Sequence, residues 1–207
     1  MTTSSSSSLS LLEWRRAIAD LYGEIRATAD KPVAWRRWQQ TRARLFREHP
    51  QSPIPPDDRA AYAGPHLYEY DPAWCLTVSV EPVEPTRLEI VTSNVESMAF
   101  NRFAVARFVH GGVDLTLELY WLEGYGGGLF VPFADATSGR ETYGAGRYLL
   151  DTVKGADLGE QDGRLVFDFN FAYQPSCAYD PRWTCPLAPP ANRLAVAVRA
   201  GERVARS

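Results

Sequence analysis

Polar side chains that could perform acid–base chemistry lie close together in the last third of the chain. Asp168 and Asn170 are two residues apart in a segment of alternating polarity, so both would project from the same face of a strand. An aspartate there could act as an acid, a base or a ligand, and an asparagine could orient a substrate. The alternative is that both face solvent or satisfy loop backbone groups. We predict Asp168 and Asn170 as candidate catalytic residues.

A second group of residues has the chemistry of an anion site. Glu141, Tyr143 and Arg147 alternate along the chain and would lie on one side of a regular strand. Arginine and tyrosine together can hold a carboxylate or a phosphate by charge-assisted hydrogen bonds. Arg147 could equally pair with Asp168 as an internal salt bridge. We predict Glu141, Tyr143 and Arg147 as ligand-binding candidates and keep the structural alternative open.

Three further ligand-binding candidates flank this region. Asp135 precedes a turn, where an aspartate commonly bonds its own backbone two residues on, so a capping role competes with a binding role. Asn192 and Arg193 follow two prolines that stiffen the approach to them. This pair could reach the same pocket as the other candidates, or could cap the last strand.

Cys177 and Cys185 are separated by seven residues that include an Asp-Pro turn signal. The two side chains could form a thiol pair or redox disulfide, or supply two of four zinc ligands, and two buried structural thiols are the favoured interpretation. Common hydrolase, zinc-protease, C-x-x-C and dinucleotide-binding motifs are missing from the sequence. We therefore predict no metal and no cofactor.

Several short sequence motifs, taken together, resemble those of a known family. They are Ser52-Pro53, Tyr70-Asp71-Pro72, residues 130–139, residues 141–148, residues 168–173, Cys177-Ala178-Tyr179, Cys185-Pro186-Leu187, Asn192-Arg193-Leu194 and Ala200-Gly201-Glu202. The combination resembles a prokaryotic family known only as domain of unknown function 1684, and it covers nearly the whole chain.

The resemblance implies no activity, but it supports treating residues 130–194 as one site. Two positions depart from the family pattern: Gln174 stands where the family favours asparagine, and Ala191 stands where it favours glutamate. If that glutamate were a catalytic acid in relatives, this chain would lack it.

Two helices are expected to precede the strands. Apolar residues spaced three and four apart predict an amphipathic first helix, and Ser10 with Glu13 has the spacing of a capping box. Asp30 is the predicted N-cap of a second helix, with Pro32 in its first turn. The apolar stripe of the second helix is interrupted by Arg42.

From residue 76 onward the pattern changes to a period of two, which predicts strands. The clearest strand covers residues 113–121, after a hairpin turn at Gly111-Gly112. Further strands are predicted at 142–151, 164–171 and 194–198. Since no helical pattern separates these strands, they predict an antiparallel sheet curled into a sandwich or a barrel.

Composition narrows the class of protein. The chain has 207 residues, a net charge of −3 and 45% hydrophobic residues, which is typical of one globular domain with or without an appendage. No basic block predicts nucleic-acid binding, and no apolar run reaches the ~18 residues of a membrane span. The first residues lack the pattern of a signal peptide, and an odd number of cysteines favours a reducing compartment. We therefore expect a cytoplasmic protein.

The predicted fold class is α+β, with an N-terminal helical arm packed on an antiparallel β sandwich or barrel. The predicted divisions are a disordered tail at 1–8, the helical arm at 9–50 and the β domain at 51–207. The predicted function is binding of a small molecule at a site lined by residues 130–194, with or without catalysis. The alternative is a non-catalytic binding module that uses exposed aromatic residues, namely Tyr125, Tyr173, Tyr179 and Trp183. The oligomeric state is left open.

Overall fold

A computed structural model describes residues 5–205. Helix α1 (Ser5–Ala27) and helix α2 (Lys31–Glu48) form the N-terminal arm. The Asp30 side chain accepts a hydrogen bond from the Val33 N–H at 3.0 Å, so the predicted cap of α2 is confirmed. Helix α1 starts before the predicted capping box: Ser10 lies within it and donates to the Ser7 carbonyl at 2.9 Å. Residues 5–8 of the predicted tail therefore belong to α1, and residues 1–4 lie outside the described part.

Two antiparallel sheets follow the arm. Within residues 5–205 the strands are β1 (Cys75–Val78), β2 (Val80–Val91), β3 (Ser97–His110), β4 (Val113–Leu122), β5 (Gly128–Phe133), β6 (Arg147–Asp151), β7 (Glu160–Gln161) and β8 (Arg164–Asp168). One sheet has the order β2-β3-β4-β5-β6 and the other β1-β8-β7. The α+β class, with a helical arm packed on antiparallel sheets, is confirmed.

The hairpin between β3 and β4 forms where the sequence predicts it. Gly111 and Gly112 have φ values of +58° and +78°. A tight two-residue hairpin turn of this kind requires positive φ at both central positions, which glycine adopts without a steric cost. His110 pairs with Val113 directly across the turn, so the register of β3 against β4 is set there.

Three strand predictions need correction. β6 begins only at Arg147, because the preceding residues fold as turns, in which Gly139 and Gly146 have positive φ. β8 ends at Asp168, and residues 169–171 form a 3₁₀ turn that the Asp168 side chain caps. Residues 194–198 form no strand; the Ala134–Arg193 bridge joins the segment that precedes them to the end of β5.

The arm and the sheets share one hydrophobic core. Ile18, Leu21 and Ile25 of α1 are buried in the same cluster as Trp38 of α2 and the strand residues. The Trp38 ring meets the edge of Phe171 at 5.5 Å between ring centroids. No helix within residues 5–205 carries an apolar stretch long enough to cross a membrane.

Candidate functional site

Asp168 and Asn170 lie together at the end of β8, and both are bonded to other protein groups. Asp168 accepts hydrogen bonds from the Asn170 N–H at 3.0 Å, the Asn170 amide nitrogen at 2.8 Å and the Tyr70 hydroxyl at 3.2 Å. Asn170 in turn bonds both backbone groups of Asp71, at 2.9 and 2.8 Å. Burial raises the pKa of Asp168 above its usual value, although these hydrogen bonds oppose the shift. Because Asn170 lies in the 3₁₀ turn, the two residues do not share a strand face.

Arg147 pairs with Asp135 and not with Asp168. The Nη2 of Arg147 lies 2.8 Å from the Asp135 carboxylate, and both side chains are almost fully buried. The same guanidinium donates to the carbonyls of Val198, Ala200 and Glu202. Arg147 therefore fastens the C-terminal segment to β6.

Asp135 takes the capping role that the sequence offered as one alternative. Its carboxylate accepts from the Thr137 N–H and from the Thr137 hydroxyl, each at 2.6 Å. The other carboxylate oxygen is the one that pairs with Arg147. The buried turn after β5 is thus held by one carboxylate.

The other members of the predicted anion site have separate partners. Glu141 pairs with Arg199 through both carboxylate oxygens, at 2.8 and 3.0 Å, and accepts from the Tyr68 hydroxyl at 3.0 Å. The Tyr143 hydroxyl lies 3.7 Å from the Cys177 sulfur. Glu141 and Tyr143 precede β6, so the predicted alternation with Arg147 along one strand does not occur.

Asn192 is a buried bridge between strands. Its oxygen accepts from the Glu118 N–H at 2.8 Å, and its nitrogen donates to the carbonyls of Glu118 and Pro132, at 3.0 and 2.7 Å. Arg193 is exposed and does not face the same surroundings. The structure thus separates the eight predicted residues into local groups, and their binding and catalytic roles stay predictions.

A two-part cleft lies between the helical arm and the segment that runs from Lys154 to Cys185. Its inner cavity measures about 60 Å³ and its outer cavity about 190 Å³. Both cavities are lined by Trp14, Lys154 and Ser176, so they lie side by side. The inner part is walled by Tyr22, Trp38, Arg42, Phe46 and Tyr173, among others. We define this whole space as the arm cleft.

Two basic side chains, Lys154 and Arg15, lie at the mouth of the arm cleft. The Lys154 side chain is about half exposed, and its ammonium lies 3.7 Å from the Asp151 carboxylate. The same ammonium sits 5.7 Å above the Tyr148 ring. Arg15 lines the outer cavity and is exposed. The mouth therefore offers two solvated cations beside the Trp14 ring.

The inner wall holds a buried ion pair. Arg42 donates to one carboxylate oxygen of Glu202 through both Nε and Nη2, at 2.8 and 2.5 Å. The other Glu202 oxygen accepts from the Gln174 N–H at 2.7 Å and from the Tyr179 hydroxyl at 3.0 Å. Burial alone would lower the pKa of Arg42, but the Glu202 carboxylate raises it above its usual value. The guanidinium stays charged and also lies 5.0 Å from the Trp38 ring centroid.

Sequence reasoning missed the residues of the arm cleft that belong to the helices. Trp14 is one of the apolar residues whose spacing predicts the first helix, and Arg42 interrupts the stripe of the second; neither pattern by itself indicates a cavity. An arginine one turn from Trp38 and one turn from Phe46 is a signal for a buried cation. Lys154 also carried a signal, as one of two lysines in a chain otherwise rich in arginine.

The predicted exposed aromatic face is not formed. Tyr125 is fully exposed, but Tyr173 is 9% exposed and lines the inner cavity. Tyr179 is partly buried against Glu202, and Trp183 lines the outer cavity. Three of these four residues face the interior or a cavity. They therefore do not form one exposed surface with Tyr125 that could bind a partner.

One of the three thiols lies at the outer cavity. Cys75, Cys177 and Cys185 are all free, and Cys185 lines the cavity. Within residues 5–205, no group of three or more histidine, cysteine or acidic side chains has the arrangement of a metal site. The zinc hypothesis for Cys177 and Cys185 therefore has no further ligand to complete it among these residues.

Comparison with known proteins gives a family and a structural relative. The family model described as "Protein of unknown function (DUF1684)" matches residues 60–203. The solution NMR structure of an uncharacterized protein from Haloarcula marismortui is similar, with 34% sequence identity and a TM-score of 0.61. That similarity covers 87% of this chain and 97% of the other. No curated protein matches.

Proposed function

The chain belongs to the DUF1684 family of proteins of unknown function, and from that premise we propose that it binds a small anionic molecule with an apolar body in the arm cleft. The observation that carries the proposal is the position of Lys154. Its side chain lines both parts of the cleft and stays half exposed. A cation at the border between an aromatic cavity and solvent suits a ligand with one charged end.

The walls supply the apolar contacts of such a ligand. Trp14, Ile18 and Phe46 line the inner cavity, and the Tyr173 ring joins them from the β domain. Ligand sites are typically concave and mostly apolar, with few polar groups that fix the orientation. The arm cleft has this composition, with Ser176 as a hydroxyl shared by both cavities.

The size of the arm cleft favours a small ligand. A cavity needs a volume of roughly 10–15 Å³, measured in the same way, to hold one water molecule. The inner cavity of about 60 Å³ therefore holds a group of a few atoms, and the outer cavity of about 190 Å³ holds a ring-sized body. A carboxylate at the mouth would lie near Lys154 and Arg15, where charge-assisted hydrogen bonds are available.

The segment predicted from sequence supplies part of this site. Ala156, Tyr173, Gln174, Pro175 and Ser176 of residues 130–194 line the inner cavity. The remaining wall belongs to the helical arm. The proposal therefore keeps the predicted segment and assigns it a partner surface on α1 and α2.

Calorimetric titration with benzoate, and with neutral benzamide as the matched probe, tests the proposal. We expect wild type to bind benzoate more tightly than benzamide, and Lys154→Gln to weaken benzoate binding about tenfold. A charge-assisted hydrogen bond contributes about 1.5 kcal/mol or more, and about 1.4 kcal/mol corresponds to a factor of ten. NMR shifts of the Trp14 indole would report the location.

Lys31→Gln is the matched control, because Lys31 is the other lysine of the chain and does not line the arm cleft. It should bind benzoate as wild type does. Equal benzoate affinity in wild type and Lys154→Gln, or shifts confined to residues outside the arm cleft, would contradict the proposal.

A further inference from the structure

Cys177 and Cys185 are brought together by the fold of the loop between them. Cys177 lies in a 3₁₀ turn (Ser176–Ala178) that follows Pro175. The chain then reverses at Asp180, whose side chain accepts from the Arg182 N–H at 2.9 Å and whose carbonyl accepts from Trp183. As a result the Cys177 N–H points at the Cys185 sulfur, at 3.4 Å. The two residues are neighbours with both thiols free.

The two sulfurs have unequal surroundings. The thiol of Cys185 hydrogen-bonds the Cys177 sulfur, and this bond lowers the pKa of Cys177 to about 6, against the effect of burial. The Tyr143 hydroxyl, 3.7 Å from the Cys177 sulfur, contributes a further hydrogen bond in the same direction. The same bond and burial raise the pKa of Cys185. One sulfur is thus prepared to be a thiolate while its neighbour keeps its proton.

The titratable groups around the pair belong to several elements. Tyr143 and Tyr148 approach from either side of the start of β6, and Lys154 approaches from the turn after it. Lys154 lowers the pKa of Cys185 by its positive charge. The third cysteine differs: burial and the Asp168 carboxylate raise the pKa of Cys75 to about 11. Cys75 therefore serves as an internal reference thiol.

We propose that Cys177 and Cys185 form a redox-active dithiol that reduces small hydroperoxides, with Cys177 as the attacking sulfur and Cys185 as the resolving sulfur. The proposal goes beyond ligand binding in the arm cleft and does not depend on it. It rests on the contact between the two residues, on the Tyr143 hydroxyl beside the Cys177 sulfur and on the cavity at Cys185. Thiolate character and access decide which cysteines are oxidised.

The reaction balances without a metal or a cofactor. The Cys177 thiolate attacks the distal oxygen of the hydroperoxide, the O–O bond breaks, and the alkoxide or hydroxide leaves and takes a proton from solvent. Cys177 becomes a sulfenic acid and the hydroperoxide is reduced to an alcohol or water. The Cys185 thiol then loses its proton and attacks the Cys177 sulfur, so that the S–S bond forms and water leaves. A thiol reductant returns the disulfide to the dithiol by two exchange steps.

The burial of the pair selects the size of the oxidant. Cys177 is 9% exposed and Cys185 is 1% exposed, although Cys185 lines a cavity of about 190 Å³. Hydrogen peroxide and short alkyl hydroperoxides can enter a space of this volume. Bulky disulfides would have to reach a buried sulfur, so we expect them to react slowly.

The test uses reduced wild type and hydrogen peroxide at pH 7, with alkylation of the remaining thiols and peptide mass spectrometry. We expect a Cys177–Cys185 disulfide peptide to accumulate while Cys75 stays alkylated, and dithiothreitol to reverse the change. In Cys185→Ser the sulfenic acid should persist at Cys177 and be trapped by dimedone. In Cys177→Ser oxidation of the remaining thiols should be at least tenfold slower, and Cys75→Ser should react as wild type does.

A second measurement needs no substitution and so does not depend on the folding of a variant. The alkylation rate of wild type at each cysteine is followed from pH 5 to pH 10. Cys177 should reach half of its maximal rate near pH 6, whereas Cys75 should still be slow at pH 9. Oxidation of Cys75 as fast as that of Cys177, or equal alkylation profiles of the two, would overturn the proposal.

Discussion

Arg42 shows how a single residue joins the arm to the β domain. It lies on the buried face of α2, and its partner Glu202 is 160 residues further along the chain. Several other buried polar residues bond in the same manner, as Asn192 does with Glu118 and Arg147 with Asp135. The charged or amide group of each of these three residues has protein partners, which offset the cost of removing it from water. At this scale the polar residues of the interior connect distant segments.

Loss of one member of the buried pair should be strongly destabilising. Arg42→Met leaves the Glu202 carboxylate buried without its cation, which typically costs about 3–5 kcal/mol. Urea denaturation of the purified variant measures the change in the free energy of unfolding. Arg37→Met is the matched control: Arg37 pairs with Glu24 on the surface, and the expected cost is below about 1 kcal/mol. Similar losses in both variants would contradict the assigned role of Arg42.

Asp168→Asn should change how stability depends on pH. Burial raises the pKa of Asp168 in the folded state, so the folded protein keeps this proton at pH values where the unfolded chain has lost it. The contribution of Asp168 to stability is therefore present below the usual aspartate pKa of about 4 and is lost as pH rises through the raised value.

The measurement is urea denaturation of wild type and Asp168→Asn at several pH values from about 3 upward. The free energy of unfolding of wild type should fall relative to that of the variant as pH increases. A difference that stays constant, or that moves in the opposite direction, would show that the carboxylate is not held in the buried surroundings described.

Short turns between the regular elements decide where the buried polar residues point. The 3₁₀ turn after β8 removes Asn170 from the strand and directs its side chain to the Asp71 backbone. We call this turn and the residue after it, 169–172, the β8 corner. The C-terminal segment packs on the β8 corner, where the Glu202 N–H donates to the Ala172 carbonyl at 2.8 Å. Gly201 lies directly before that contact with a φ of +78°. At the element scale, one corner thus sets the position of Glu202.

Gly201→Ala should disrupt this corner. A β carbon at Gly201 would lie 2.7 Å from the Phe169 carbonyl oxygen and closer still to that of Ala172. The left-handed backbone costs a residue other than glycine about 1–2 kcal/mol, and overpacking adds about 1–3 kcal/mol. We expect a loss of about 3 kcal/mol in the free energy of unfolding, measured by urea denaturation.

Gly111→Ala separates the cost of the left-handed backbone from the cost of overpacking. Gly111 also has positive φ, but a β carbon there meets nothing within 4 Å. Only the backbone cost of about 1–2 kcal/mol applies to it. If both glycine variants lost the same stability, close packing at Gly201 would not be the cause.

Across residues 5–205 the helices of the arm and the strands share one hydrophobic core. Tyr22 of α1, Trp38 of α2 and Phe171 of the β domain belong to the same buried cluster. The arm cleft lies at this junction, so its shape depends on the docking of the arm. The apolar faces of α1 and α2 are buried in this cluster.

We therefore expect a single unfolding transition for helices and sheets. Far-ultraviolet circular dichroism and near-ultraviolet aromatic signals should change together in urea. Leu21→Ala should lower the free energy of unfolding by about 2–5 kcal/mol, and by the same amount whichever signal is followed. Leu12→Ala, at a 42% exposed position of the same helix, should cost less than about 0.5 kcal/mol. Separate transitions for the two signals would contradict a shared core.

The sequence by itself determined the features that depend on near neighbours. The cap at Asp30, the hairpin at Gly111-Gly112, the strand after it and the α+β class were all predicted, because caps, turns and periodicity are local properties. The sequence also indicated residues 130–194 as the segment of a site, and part of this segment lines the arm cleft.

Only the tertiary structure decided the partners of the polar residues. Arg147 forms an ion pair with Asp135, Glu141 with Arg199, and Arg42 with Glu202. Each pair joins residues on two sides of a turn or far apart in the chain. Such pairings follow from the docking of segments that are distant in sequence, and residue types alone allow several of them. The arm cleft likewise exists only where α1 meets the Lys154 turn and the Cys185 loop. Trp14 and Lys154, 140 residues apart in the chain, line the same cleft because the shared core brings them together.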